Sequence, residues 1–351
     1  MPAIDPQQWV TVHTYSGKQL YQVPPSRQES IAWNREGHQV TSCDIQLPSG
    51  YIDARDLTPW IHWCSVWNAD GTVLHWTGPI QKPDGDRDSV TISARDTAAY
   101  MEKTRCPITK SWDAADPATI AGELWAAMAA HHNLNTSPIV RTDPEGDRFD
   151  FSCVADSEML SDTMDKLVKM GLRWCVIAGV AIFGPVPRDP VTTLQENDFM
   201  GSGLKFVRDG SQMANDVLVR GQDGSSRARY DMGGLGLQSL ISMDHVLGVS
   251  NLDRATRTAA RYTAKIRDTL VVPPGTVLAP HAPVTEQMLI PSTRMGIEAL
   301  GMQTLVELDQ ISVTSDTNQA QVAITVDNVV NLPELLDQSH PDAAVITGVS
   351  R

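Results

Sequence analysis

The sequence predicts a mixed, β-dominated protein in which two β-rich units flank a small α/β insert. Three observations carry that expectation. Through most of residues 1–105 apolar and polar residues alternate, the period of half-buried strands. Between about 106 and 186 apolar residues recur every four positions instead, as on helices. Beyond the proline-punctuated stretch "FGPVPRDP" (183–190), which reads as a linker, alternation returns and runs to about 345.

Taken in order, "WVTVHTY" places Val10 and Val12 on one strand face, and "YQVPPS" ends a second strand at a proline pair. "QVTSCDIQL" alternates again. Residues 63–68 and 72–80 form a hairpin across Asp70-Gly71, a favoured turn pair. "SVTISARD" (89–96) is a further strand, closed by a short helix or turn in "DTAAYMEKTR". In the insert, Asp116-Pro117 is a cap and first-turn pair, followed by Ile120, Leu124 and Met128 on one helix face. A second helix is expected from near Asp156, with Leu160, Met164 and Leu167 on its apolar face. Asp162–Lys166 and Asp165–Lys169 would support it as i,i+4 pairs, and Gly171 would end it. "LRWCVIAGVAIFG" reads as two strands around Ala178-Gly179. In the last unit, "LKFVRDG", "DVLVRGQ" and "MQTLVELDQISVTSDTNQAQVAITVDNV" are strand-like, and one helix is expected over 253–270, capped by Asp253. The final dozen residues look loosely ordered.

The tryptophans Trp63, Trp67 and Trp76 gather on the one hairpin of a chain with only five phenylalanines. Aromatic cross-strand pairs stabilise a small sheet and fill its core. A sugar platform would use the same residues exposed on one face. The two uses separate on Trp76→Ala, which removes glycan binding in one case and stability in the other.

Composition excludes several classes. No run is long and apolar enough to span a bilayer, and the N-terminal stretch lacks the pattern of a secretory signal. The five cysteines are scattered without CxxC spacing, which argues for buried thiols and against a disulfide framework or a zinc site. Net charge is −14, densest over 106–200, against sequence-reading nucleic-acid binding, which needs cations for phosphates. HExxH, GxSxG, Walker A and GxGxxG are absent. "DGDRD" alternates Asp84, Asp86 and Asp88 like a calcium loop, but Ser89 and Arg95 occupy the positions that need glycine and glutamate. His131-His132 diverge by about 100° on a helix and read as helix-end residues. No catalytic, cofactor-binding or metal-ligating residue is assigned. Arg254, Arg257, Arg261 and Lys265, spaced 3-4-4, form a basic helix stripe suited to an acidic neighbouring subunit.

The order of these features resembles the baseplate hub, or tail-tip hub, proteins of long-tailed bacteriophages. The stretches that carry it are "IAWNREGHQVTSCDIQLPSG", "VWNADGTVLHWTGPI" with "VTISARDTAAYMEKTR", "ADSEMLSDTMDKLVKMGLRWCVIAGVAIFGP" and "RMGIEALGMQTLVELDQISVT". The resemblance implies two tube-type β-barrel domains, at 1–105 and 187–345, with the α/β insert domain 106–186 between them. It further implies a homotrimer whose six barrels form a pseudo-sixfold ring at the tail tip of the virion. Such a ring assembles in the host cytoplasm, joins the tail tube to the host-facing tip and opens for genome release. Its partners would be the distal tail ring protein, the tape-measure protein and other tail-tip or fibre proteins. DNA would pass without sequence-specific binding, and no cofactor is implied. A hub of a tail-derived injection machine would look alike. From other classes, the alternatives are a cell-wall hydrolase and a carbohydrate-binding tail component.

Overall fold

The computed structural model describes residues 4–329 except 145, 147, 186–188, 212, 222–223, 244–252, 254–255, 258, 261–262, 265–266 and 317–318. By internal contacts the chain divides into one unit of residues 1–204 with 272–327 and a second of 205–271 with the chain from 328 onward.

The first unit opens with seven strands: β1 (Trp9–Thr14), β2 (Gln19–Val23), β3 (Ser30–Glu36), β4 (Ser42–Pro48), β5 (His62–Trp67), β6 (Leu74–Gly85) and β7 (Ser89–Arg95). Alternation sets which side of each is buried: Val10 and Val12 in β1, Cys43, Ile45 and Leu47 in β4, and Val90, Ile92 and Ala94 in β7. The β5–β6 hairpin turns at Asp70-Gly71 as the sequence predicts. The Asn68 side chain accepts from the Thr72 and Val73 amides, and Gly71 takes φ +67°.

The insert holds β8 (Lys110–Ala115), helix α1 (Pro117–His131), β9 (Ile139–Val140), β10 (Phe149–Cys153), helix α2 (Leu160–Lys169), β11 (Trp174–Ile177) and β12 (Val180–Phe183). Asp116 caps α1 by accepting from the Ala118 amide at 2.8 Å. Ile120, Leu124 and Met128 are fully buried with Trp125 and Phe183. Helix α2 starts at Leu160, four residues later than expected. The intervening residues are held by other partners: the Leu160 and Cys106 amides donate to the Thr104 and Glu158 carbonyls, and Arg105 and Met159 bridge. Lys166 pairs with Glu158 at 2.5 Å, not with the expected Asp162. Ala178 and Gly179, at φ +50° and +78°, make the tight β11–β12 turn.

The rest of the unit contributes β13 (Thr193–Gln195) and β14 (Phe199–Gly201), then, after the second unit, β20 (Thr276–Leu278), β21 (Arg294–Ala299), β22 (Met302–Ser315) and β23 (Ala320–Asn328). The second unit contains β15 (Lys205–Asp209), β16 (Asp216–Gly221), β17 (Ser225–Arg229), β18 (Gln238–Met243) and β19 (Arg267–Val271). It has a small core of Ala214, Val217, Val219, Ala228 and Ala260. The helix expected over 253–270 is shorter. Its described residues end at Thr263, and Arg267–Val271 pairs antiparallel with β15, where the β-branched end of "DTLVV" suits a ladder better than a helix. Asp253 lies within that helix and does not precede it.

One sheet of eleven strands organises the first unit. Its order is β13-β21-β22-β3-β4-β7-β6-β5-β1-β2, with β23 also on β22. The late strand β22 thus hydrogen-bonds directly to the early strand β3, so first and last β stretches share a sheet. The described strands follow an open path and close no barrel. Two long strands change partner midway. β6 pairs with β5 through Pro79 and with β7 from Ile80, and β22 pairs with β21 through Glu307 and with β3 from Gln310. The first switch explains the residues "GPI". Pro79, with no N–H to donate, stands where one ladder stops, Ile80 enters the core, and Gly78 lies against the Arg95–Asp96 backbone.

A Cβ on Gly78 would sit 2.0 Å from the Arg95 carbonyl oxygen. We expect Gly78→Ala to lower stability by about 2–4 kcal/mol in urea unfolding. Gly71→Ala, which meets open space but must hold φ +67°, should lose only about 1 kcal/mol.

Candidate functional site

The hairpin that draws attention in the sequence is a structural junction. Its three tryptophans do not form one cluster. Alternation along β5 sends Trp63 and Trp67 to one face, while Trp76 of β6, paired with Val66, turns to the other. Trp63 is buried with Tyr100 and the insert core, its ring stacked on Tyr100 at 6.2 Å. Trp76 is buried and donates its indole N–H to Thr41 Oγ1 at 3.2 Å. Trp67 is half-buried and donates to Thr11 Oγ1 at 3.0 Å.

Thr41 connects Trp76 to Asp96, the last residue of "ARD". One Asp96 carboxylate oxygen accepts from the Thr41 amide (3.0 Å) and hydroxyl (2.5 Å), and the other accepts from the Ala98 amide (2.8 Å). The latter bond caps the 3₁₀ helix Thr97–Lys103 that leads into the insert. Burial pushes the Asp96 carboxyl up to about 6, against these bonds, which pull it down.

A second buried network has no counterpart in the sequence reading. Arg35 of β3 donates to Glu286 Oε1 (2.8 Å) and to the carbonyls of His75 (3.0 Å) and Leu289 (3.2 Å). His75 Nδ1 lies 2.6 Å from the same Glu286 oxygen, and its ring stacks on Trp33. Burial lowers the Arg35 pKa, opposed by Glu286. Burial would raise Glu286, but His75 and Arg35 outweigh it and hold that carboxyl below its usual range. The signal was present in the period of β3, where Ile31, Trp33 and Arg35 share the buried phase. Its partner Glu286, some 250 positions away, had no local signature.

On the Trp63–Trp67 face, the Ser65 hydroxyl lies 2.8 Å from His13 Nε2, and His13 Nδ1 lies 2.9 Å from the Thr14 carbonyl. A serine beside an oriented imidazole is the beginning of a nucleophilic site. Ser65 is 2% exposed, however, and its hydroxyl is also held 2.7 Å from Thr77 Oγ1. Ser65 and Thr77 are buried between β5 and β6, where the group ties strands together, while His13 is half-buried beside them on β1.

The remaining sequence features fall as follows. Of the basic stripe, Arg257 is described and pairs with Asp253 at 2.9 Å, whereas Arg254, Arg261 and Lys265 lie outside the described residues, as do the final dozen residues. Asp86 accepts from the Asp88 and Ser89 amides, an ordinary turn. His132 caps α1, 2.7 Å from Thr104 Oγ1 and against the Tyr100 ring. All five cysteines are buried free thiols. Among the described residues no group of three or more His, Cys, Asp or Glu is placed to hold a metal, and no helix is long and apolar enough to cross a membrane.

This architecture is that of bacteriophage tail proteins, as comparison with solved structures shows. The 43 kDa tail protein of prophage MuSo2 from Shewanella oneidensis superposes with a TM-score of 0.62 at 13% identity, over 94% of this chain and 99% of that one. The tail protein from Neisseria meningitidis MC58 gives 0.64 at 13% identity, over 92% and 96%. Prophage tail protein gp18 from Listeria monocytogenes EGD-e gives 0.56 at 11% identity, over 94% and 97%. No protein-family model matches the chain, and no curated protein matches its sequence.

Two outcomes follow for the junction. Trp76→Ala should cost about 3–5 kcal/mol of stability in chemical unfolding, as expected for a buried indole. The folded pKa of Asp96, about 6, lies above the 3.8 of an unperturbed aspartate. Its contribution to stability is therefore fully present at low pH and is lost as pH rises through about 6. Subtracting the Asp96→Asn stability curve from that of the wild type should give a difference that declines between about pH 4 and 6 and is flat above.

Proposed function

We propose that the chain is a structural component of a bacteriophage-type tail and, more narrowly, its hub. The observation that carries this reading is the end-to-end likeness to phage tail proteins, spanning 94% of this chain and 99% of the Shewanella prophage protein. In this reading the chain forms a homotrimer at the virion tail tip, assembled in the host cytoplasm. Two tube-type barrel domains per copy, bounded as the sequence suggests, make a pseudo-sixfold ring and the insert decorates it. Sheet edges left unpaired within one chain, β2 among them, would be covered by neighbouring copies. The distal tail ring protein, the tape-measure protein and other tail-tip or fibre proteins are its partners. The ring joins tube to tip and opens for genome release.

The charge of the chain supports the same reading. At −14, DNA can pass without adhering. The basic stripe read from the sequence, Arg254, Arg257, Arg261 and Lys265, would then serve as a contact with an acidic neighbour. The protein works by association, with no catalytic step.

Antibody labelling of intact particles under the electron microscope tests the assignment. Gold confined to the tail tip is expected. Gold along the tube, on the capsid or on no particle removes the hub reading.

A further inference from the structure

We propose that the groove around Trp67 binds a neutral saccharide chain. Strands β1 and β5 run antiparallel, and one face of the pair carries Thr11 and His13 beside Trp63, Ser65 and Trp67. Two cavities, of about 390 and 350 Å³, open on this face. Both are lined by Thr11, Gln19 and Trp67, so the two cavities adjoin at these residues and form the groove around Trp67. Its orientation is set beforehand by the bond to Thr11 Oγ1, and Trp9, at the far end, is fixed by donating to the Ala69 carbonyl at 2.8 Å. Pre-oriented aromatic rings lower the entropy lost on binding.

The lining selects the chemical class. No Lys, Arg, Asp or Glu lines the larger cavity, which holds the imidazole of His13 and the hydroxyls and amides of Tyr15, Gln19, Asn135 and Thr136. The smaller cavity has one charged side chain, the carboxylate of Asp70. A purely apolar ligand would bury those polar groups without partners, which is unfavourable. An anion would meet Asp70 within a chain of net charge −14. A pyranose chain satisfies both requirements. Its C–H faces lie flat on an indole, and its hydroxyls donate to and accept from amides and hydroxyls around the ring. Each cavity has the volume of a small-ligand site, and two adjoining cavities that share Trp67 suit a chain of several sugars. The inference differs from a platform built on all three tryptophans, because Trp63 and Trp76 are buried and Trp67 alone is half-buried. It does not depend on the tail assignment.

The test is titration of the full-length chain with chitotetraose, cellotetraose, maltotetraose and tetragalacturonate, followed by tryptophan fluorescence and calorimetry. At least one neutral tetrasaccharide should saturate with a Kd between about 10 μM and 1 mM, and the galacturonate should bind at least about tenfold more weakly. Trp67→Ala should weaken binding at least about tenfold, while Trp67→Phe retains most of it. Tyr15 and Gln19 are exposed, so Tyr15→Ala with Gln19→Ala should weaken binding several-fold at unchanged Tm, which decides the matter if Trp67→Ala fails to fold. Absence of saturation by all three neutral sugars, preference for the galacturonate, or binding indifferent to these substitutions overturns the proposal.

Discussion

The fold of the first unit depends on a carboxylate kept away from water. Asp96 can be buried because each oxygen meets donors already in place, two from Thr41 and one from the Ala98 amide. An ionised group without such donors would be strongly disfavoured there. Through Thr41 it fixes Trp76, and through Ala98 it starts the 3₁₀ helix that directs the chain into the insert. The next residue, Thr97, donates to the Gly179 carbonyl, as Thr136 does, so the β11–β12 turn is seated on the same junction. Gly78 is part of the constraint, since only a residue without Cβ lets β6 pass so close to Arg95.

The Arg35–Glu286–His75 group performs the corresponding task between early and late parts of the chain. Removing any one member leaves charge or polarity stranded inside, a larger loss than an exposed ion pair would represent. Together with the β22–β3 ladder, it makes the two ends of the first unit mutually dependent. The same architecture recurs in structures only 13% identical, so it is compatible with a largely different sequence.

Legibility in the sequence followed the range of the interaction. The Asp70-Gly71 hairpin, the Asp116 cap on Ala118 and the Ala178-Gly179 turn each act within a few residues, and each was readable. Helix α2 starts later than its local pattern predicts because a distant stretch, Thr104–Cys106, holds residues 158–160 in another conformation. Arg267–Val271 looked helical by its neighbours and is a strand because of β15. At the candidate groove, the concentration of tryptophans was visible. Which of them stays accessible depends on the bulge at Val66/Trp67 and on insert residues 134–136 and 178–180 arriving on the same face.

The pairing of β22 with β3 also has a consequence in time. Residues 31–36 leave the ribosome long before residues 310–315, their partners, exist. At about 5–20 residues per second the interval is on the order of 15 to 60 s. Throughout it, one edge of β3 presents unpaired amides and carbonyls, the kind of edge that recruits foreign strands. Completion of the sheet is thus a late event in the life of each chain, and a surface that requires it cannot exist on a nascent or truncated copy. The sheet of the first unit therefore reaches its described strand order only after synthesis has passed residue 315.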